Sequence, residues 1–183
     1  MITTGCYVAS YGPLIPFFAA ATHLDQTHYA YLFLVRASAN VIGSLLLKKI
    51  APIVPVRRLL LLLCTGLAVA LTVSTFSLST LNLMTTFFVA SICIVMLNIV
   101  IVSFNFAAFS PEEGTHHIQV LGFVFGAGAM AAPFVVMYLQ LSTYLLLALL
   151  CLGLAPLYLT QQLPSLTEHE TSISGKLVIS SRS

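Results

Sequence analysis

The chain is 183 residues long, 59% hydrophobic and 7% charged, with a formal net charge of +2 and a mean hydropathy of +1.04. A soluble domain carries about 25% charged residues, so this composition excludes a water-covered globule. It predicts an all-α integral membrane protein, with the lipid bilayer as its first partner and no nucleic-acid partner.

A hydrocarbon core about 30 Å thick takes about 20 apolar helical residues per crossing, and six such stretches can be laid out. The first, Ile2–Thr22, is polar for a span that faces only lipid: it holds Gly5, Tyr7, Ser10, Tyr11, Gly12, Pro13 and Pro16. The triplet Ala19-Ala20-Ala21 resembles a signal-peptide cleavage site. No Lys or Arg precedes the run, however, and the two prolines interrupt its helix. The reading kept is a kinked helix packed among others, beginning at Met1 with no cytoplasmic extension before it. A polar connection over residues 22–28, with Asp25 as a helix cap, leads to the second span at 29–47. Arg36 lies well inside that span, and Asn40 follows one turn later on the same face. An Arg at the centre of a span costs about 2.5 kcal/mol or more. It therefore either faces a watery cavity and binds substrate, or snorkels outward, or satisfies backbone carbonyls. Ala39 and Gly43 form a small-residue face that a neighbouring helix can approach closely.

Lys48, Lys49, Arg57 and Arg58 flank Pro52 and Pro55 in the next turn, which gathers four of the seven Lys and Arg residues. The prolines block a continuous helix, and the cations mark a short cytoplasmic loop. The third span, 59–76, is mostly Leu, Val and Ala with Cys64 and Gly66, and is expected to face lipid. After an uncharged turn, the fourth span at 83–107 carries Asn98 and Asn105 on one face, for interhelical hydrogen bonds or for substrate hydroxyls. Residues 109–117 read as a polar connection. Glu112, Glu113, His116 and His117 there could be imagined as a metal site, but adjacent pairs in a solvated loop are more often simple polarity, so no metal is expected. The fifth span, 118–139, opens on Gln119, which is within reach of a cavity. Gly122 and Gly126 are expected to admit a partner backbone, with Gly128 beyond them, and Pro133 to bend the helix. A short turn at 140–144 leads to the sixth span, 145–160. Residues 1–162 thus form one transmembrane unit and 163–183 a mobile, polar cytoplasmic tail.

Lys176 and Arg182 in the tail share a side with the basic turn. Six Lys and Arg residues thus lie on that side and none in the three outer turns, Arg36 being the one inside a span. This asymmetry predicts a multi-pass protein with both termini cytoplasmic, and the plasma membrane is favoured over an internal membrane. Cys6, Cys64, Cys93 and Cys151 all fall within spans and behave as small apolar residues. No phosphate-cradling loop, nucleophile triad or zinc spacing is present, so no enzyme and no cofactor are expected. The five acids all lie outside the spans, which leaves no buried carboxylate for proton coupling.

The chain resembles one half of a major facilitator superfamily transporter. The resemblance rests on Tyr11-Gly12-Pro13-Leu14-Ile15-Pro16, on the run from Arg36 through Asn40 and Gly43 to Ser44, and on the basic turn, which stands where the family has its Gly-rich loop signature. The run from Gln119 through Gly122, Gly126 and Gly128 to Pro133 looks like the fifth helix of the sodium-dependent glucose transporter and fucose permease branch. Asn98 and Asn105 fall where that branch has polar fourth-helix residues. Gly122 stands where the branch has a His, and the loop's acid is missing. The resemblance implies two inverted three-helix repeats and sugar symport by alternating access, with the site at the interface with a second six-span half or a second copy. It makes Arg36, Asn40, Asn98, Asn105 and Gln119 substrate-binding candidates for a small polar solute, a sugar, with Tyr7 and Tyr11 able to contact a sugar ring. The alternative is a truncated, non-transporting isoform or fragment acting as a membrane interaction protein. A six-span channel is disfavoured because no ring of charges or carbonyl-filter motif is visible.

Overall fold

The structure, a computed structural model, describes residues 1–22, 30–76, 79–140 and 142–160. Asp25 and the tail at 163–183 lie outside the described residues. The described residues form six helices and no strand: α1 (Ile2–Thr22), α2 (Ala30–Ile50), α3 (Val56–Phe76), α4 (Thr80–Ala108), α5 (Pro111–Leu139) and α6 (Ser142–Thr160). Among the described residues, four stretches are long and apolar enough to cross a membrane: Tyr31–Ile50, Val56–Phe76, Thr80–Phe106 and Glu112–Leu139. The first helix is not among them because its hydroxyls, glycines and prolines dilute its apolarity, although Pro13 and Pro16 leave it one helix. The apolar stretch Ser142–Gly153 of α6 is shorter.

The fifth helix starts earlier than its hydropathy suggests, because it starts on a cap. Ser110 Oγ accepts from the Glu113 N–H at 3.4 Å, while the Glu113 carboxylate accepts from the Ser110 N–H at 3.3 Å and from its hydroxyl at 2.9 Å. Pro111 occupies the first turn, where its missing N–H costs nothing. The connection expected over 109–117 is therefore mostly helix, and His117 stacks on Phe109 with ring centroids 4.2 Å apart. No group of three or more His, Cys, Asp or Glu residues comes together among the described residues. Ser110→Ala is expected to lower unfolding free energy by about 1 kcal/mol, measured as an earlier midpoint in detergent. Glu113→Gln, which can still return the bond to the Ser110 N–H, should cost less.

The helices pack as α1 on α5, α2 on α4, and α3 between α4 and α6. Exchanging the first three helices with the last three turns the α1–α5 pair into the α4–α2 pair and leaves α3–α6 in place. The second and fourth helices run in the same direction. Arg36 and Asn40 share a cavity with Ser91 and Asn98, Gly43 meets Ile92 and Val95, and Leu47 and Lys48 share a second cavity with Ile99 and Ser103. Parallel α2 and α4 require α3 to cross back between them.

Two sequence expectations are corrected by this packing. The third helix is the most enclosed of the four long apolar stretches, with half of its window buried, whereas α2 and α5 are mostly exposed. A helix apolar on nearly all sides is suited to burial between neighbours, and α3 buries Leu59, Leu63, Leu67 and Leu71 in that position. The close approach on α5 is not at Gly122 and Gly126, which have nothing within 4 Å of an added Cβ. It is at Gly128, against the Ile2 backbone, and at Gly5 of α1, where a Cβ would stand 2.9 Å from the Phe125 carbonyl carbon and 3.1 Å from the Ala129 nitrogen. The reason is facing: Gly128, Ala132 and Val136 make the buried stripe of α5 at four-residue spacing, while Gly122 lies on the exposed side. On α2 the small-residue face behaves as expected, with Ala39 fully buried and Gly43 close to the Ile92 Cα.

Candidate functional site

The centre of the bundle is aromatic. Tyr7, Tyr11 and Phe18 of α1, Phe87 of α4 and Tyr144 of α6 are all buried, with neighbouring ring centroids 4.7–6.2 Å apart. The Tyr11 hydroxyl donates to that of Tyr7, and the Ser10 hydroxyl donates to the Tyr7 carbonyl at 2.8 Å. These contacts fix the α1 rings before any ligand arrives.

Above this floor, α1, α2, α4 and α5 enclose a cavity of about 160 Å³, lined on its polar side by Tyr7, Arg36, Asn40, Ser91 and Asn98 and closed by Phe125. The Arg36 guanidinium does not snorkel. It folds inward over the Tyr11 ring, with Cζ 4.8 Å from the centroid, a cation–π contact that strengthens as water is excluded. Arg36 precedes Lys48 by twelve residues, or about 18 Å along the axis.

Two lining atoms are buried without a hydrogen bond, Asn98 Oδ1 and Ser91 Oγ. Ser91 is only 2% exposed, and its hydroxyl lies near that of Tyr11 without a bond of ordinary geometry. Leaving such an atom unsatisfied costs about 1–3 kcal/mol, which a ligand's donor would recover.

The fold thus brings together Tyr7, Arg36, Asn40 and Asn98, with Tyr11 beneath the cation. Asn105 is elsewhere: its Nδ2 donates to the Ile101 carbonyl at 2.8 Å, one turn back on its own helix, outside the cavity lining. Gln119 is exposed on the early part of α5, and it is Phe125 that reaches the cavity from that helix. Sequence reasoning missed Ser91, though its spacing was visible: Ser91, Asn98 and Asn105 recur at seven-residue intervals on one face of α4. The four cysteines are free and buried.

These features define a class, a helical bundle with, among the described residues, four helices fit to cross a membrane and a cavity that sets Arg36 and a few polar groups within a largely apolar lining. Compared with family models, curated proteins and solved structures, the chain matches none of them.

Proposed function

We propose that this chain is the six-span half of a transporter of the major facilitator type, which moves a small polar solute, a sugar, by alternating access in partnership with a second half or a second copy. The observation that carries the reading is Arg36, held inward on Tyr11 and beside buried, unsatisfied polar atoms. An ionisable residue inside a span is costly, and it is found where substrate or ions pass. Two further observations support it. The exchange of the α1–α5 and α2–α4 pairs, with the α3–α6 pair kept, is what two three-helix repeats would give, although the close α3–α4 packing has only a weak α1–α6 counterpart. The cavity, about 160 Å³, is smaller than the roughly 300 Å³ at which ligand pockets usually begin, as suits a site completed by a facing surface. In this reading all six helices cross the bilayer, both termini are cytoplasmic, the membrane is the plasma membrane, and the chain is a carrier and not an enzyme.

Uptake of labelled hexoses and hexuronates into vesicles holding the purified chain, at densities that let copies pair, tests transport. Arg36→Ala is expected to abolish uptake, and Val69→Ala, on an exposed face of α3, to leave it intact. Absence of uptake from the wild-type chain would leave the non-transporting interaction protein in its place. Orientation has its own test. Ile53 is 79% exposed in the basic turn and the native cysteines are buried, so Ile53→Cys should react with a membrane-impermeant maleimide from the cytoplasmic side alone. Labelling from outside an intact cell would invert the arrangement and remove the proposal.

A further inference from the structure

Among the described residues the cavity is lined by a fixed positive charge and by no negative one. No carboxylate among them pairs with Arg36, which lies over a neutral ring. Glu112 and Glu113, the acids among the described residues, are outside the lining, and a second copy facing the first would add another cation. Arg36 is half-buried, and a guanidinium drawn partly out of water is best matched by an oxyanion, which it can meet with two parallel hydrogen bonds. Asn98 Oδ1 makes a different demand: an amide oxygen only accepts, so it calls for a donor. A carboxylate alone brings only acceptors, and an ammonium group would find no carboxylate to balance it. A neutral hydroxyl meets the demand.

We propose, building on the transporter reading above, that the solute is a hydroxylated monocarboxylate, a sugar acid, rather than a neutral sugar. Its carboxylate would sit against Arg36 and its hydroxyls would donate to Asn98 Oδ1 and Ser91 Oγ, with the Asn40 amide at the rim. One Arg balances one carboxylate. A phosphate monoester carries about −1.5 to −2 near neutral pH and would leave residual charge in the cavity.

The test is equilibrium binding of radiolabelled D-glucuronate, D-glucose and glucose 6-phosphate to the full chain in lipid nanodiscs. Glucuronate is expected to bind tighter than glucose by about tenfold or more, the scale of one charge-assisted contact. It should also outcompete glucose 6-phosphate. In Arg36→Gln the preference over glucose should disappear. Arg36→Lys, which keeps the charge but not the planar fork, should retain part of it, and this keeps the test decisive if the Gln variant does not fold. Glucose binding as tightly as glucuronate would overturn the anion inference and leave the carrier reading standing. Glucose 6-phosphate binding tightest would overturn the monocarboxylate. Binding of none of the three would overturn both the inference and the function on which it rests.

Discussion

Gly5→Leu is expected to force α1 away from α5 and to unfold the bundle more readily than any other single substitution on the α1 face. A Cβ at Gly5 meets the Phe125 carbonyl group and stands 3.1 Å from the Ala129 nitrogen, which are main-chain atoms in the middle of a helix. A flexible side chain could swing aside, but a helix backbone cannot, so the two helices must part. Overpacking of this kind costs about 1–3 kcal/mol, and the upper end applies because the pair it separates is the strongest packing that α1 makes. Helix pairs in a bilayer gain no hydrophobic drive to reassociate, so close packing is most of what joins them. The control is Gly122→Leu on the exposed side of α5, where an added Cβ meets nothing, and there the change should stay within about 0.5 kcal/mol. Both are read from SDS-driven unfolding in mixed micelles, followed by circular dichroism. Equal loss in the two variants would place the important glycine face at Gly122 and Gly126, as the sequence pattern alone suggests.

That contrast shows what an apolar chain discloses and what it withholds. Helix existence was legible, because runs of apolar residues broken by Pro52, Pro55 and Ser110-Pro111 leave few other ways to satisfy the backbone in lipid. Helix facing was not. In water a polar stripe marks the outer side of a helix, but on α3 that stripe is thin, Arg58, Thr65 and Thr72 set among apolar residues, and it was not read as a facing signal. It was therefore expected to face lipid, while the structure encloses it between α4 and α6. The GxxxG pattern at Gly122 and Gly126 failed for the same reason: small residues permit close approach without compelling it, and Gly128 sits on the face that α1 reaches.

Polar residues were better guides, since each must find a partner somewhere. Arg36, Asn40, Asn98 and Tyr7 were legible as inward groups and they do converge. Asn105 shows the exception, because an amide near a helix end can satisfy itself on the carbonyl one turn back. Ser91 was overlooked because a serine in a span usually bonds back to its own helix in this way, as Ser38, Ser44 and Ser74 do here. Its hydroxyl does not, and that departure is what marks it as part of the site.

The second large effect concerns how α2 enters the membrane. Its mean hydropathy of 1.3 is well below the 2.1–2.7 of the other three long apolar stretches, and Arg36 lies about a third of the way along it. On insertion scales a central Arg costs about 2.5–3.5 kcal/mol and a central Leu contributes about −0.5. Arg36→Leu should therefore improve insertion of α2 by about 3 kcal/mol, or roughly a hundredfold in the ratio of inserted to translocated chains. That ratio is read on α2 alone, as a test segment in a host chain, where no neighbour can rescue it. In the full chain the same substitution should have a much smaller effect, because Tyr11 of α1 receives the guanidinium and Asn40, Ser91 and Asn98 line the cavity beside it. The difference between the two contexts measures what the cavity supplies to the cation. If Arg36→Leu improves insertion as strongly in the full chain as in the isolated segment, the bundle offers the guanidinium no polar refuge. Arg36 would then be a burden to α2 rather than a binding group, and the cavity would have no claim to be a solute site.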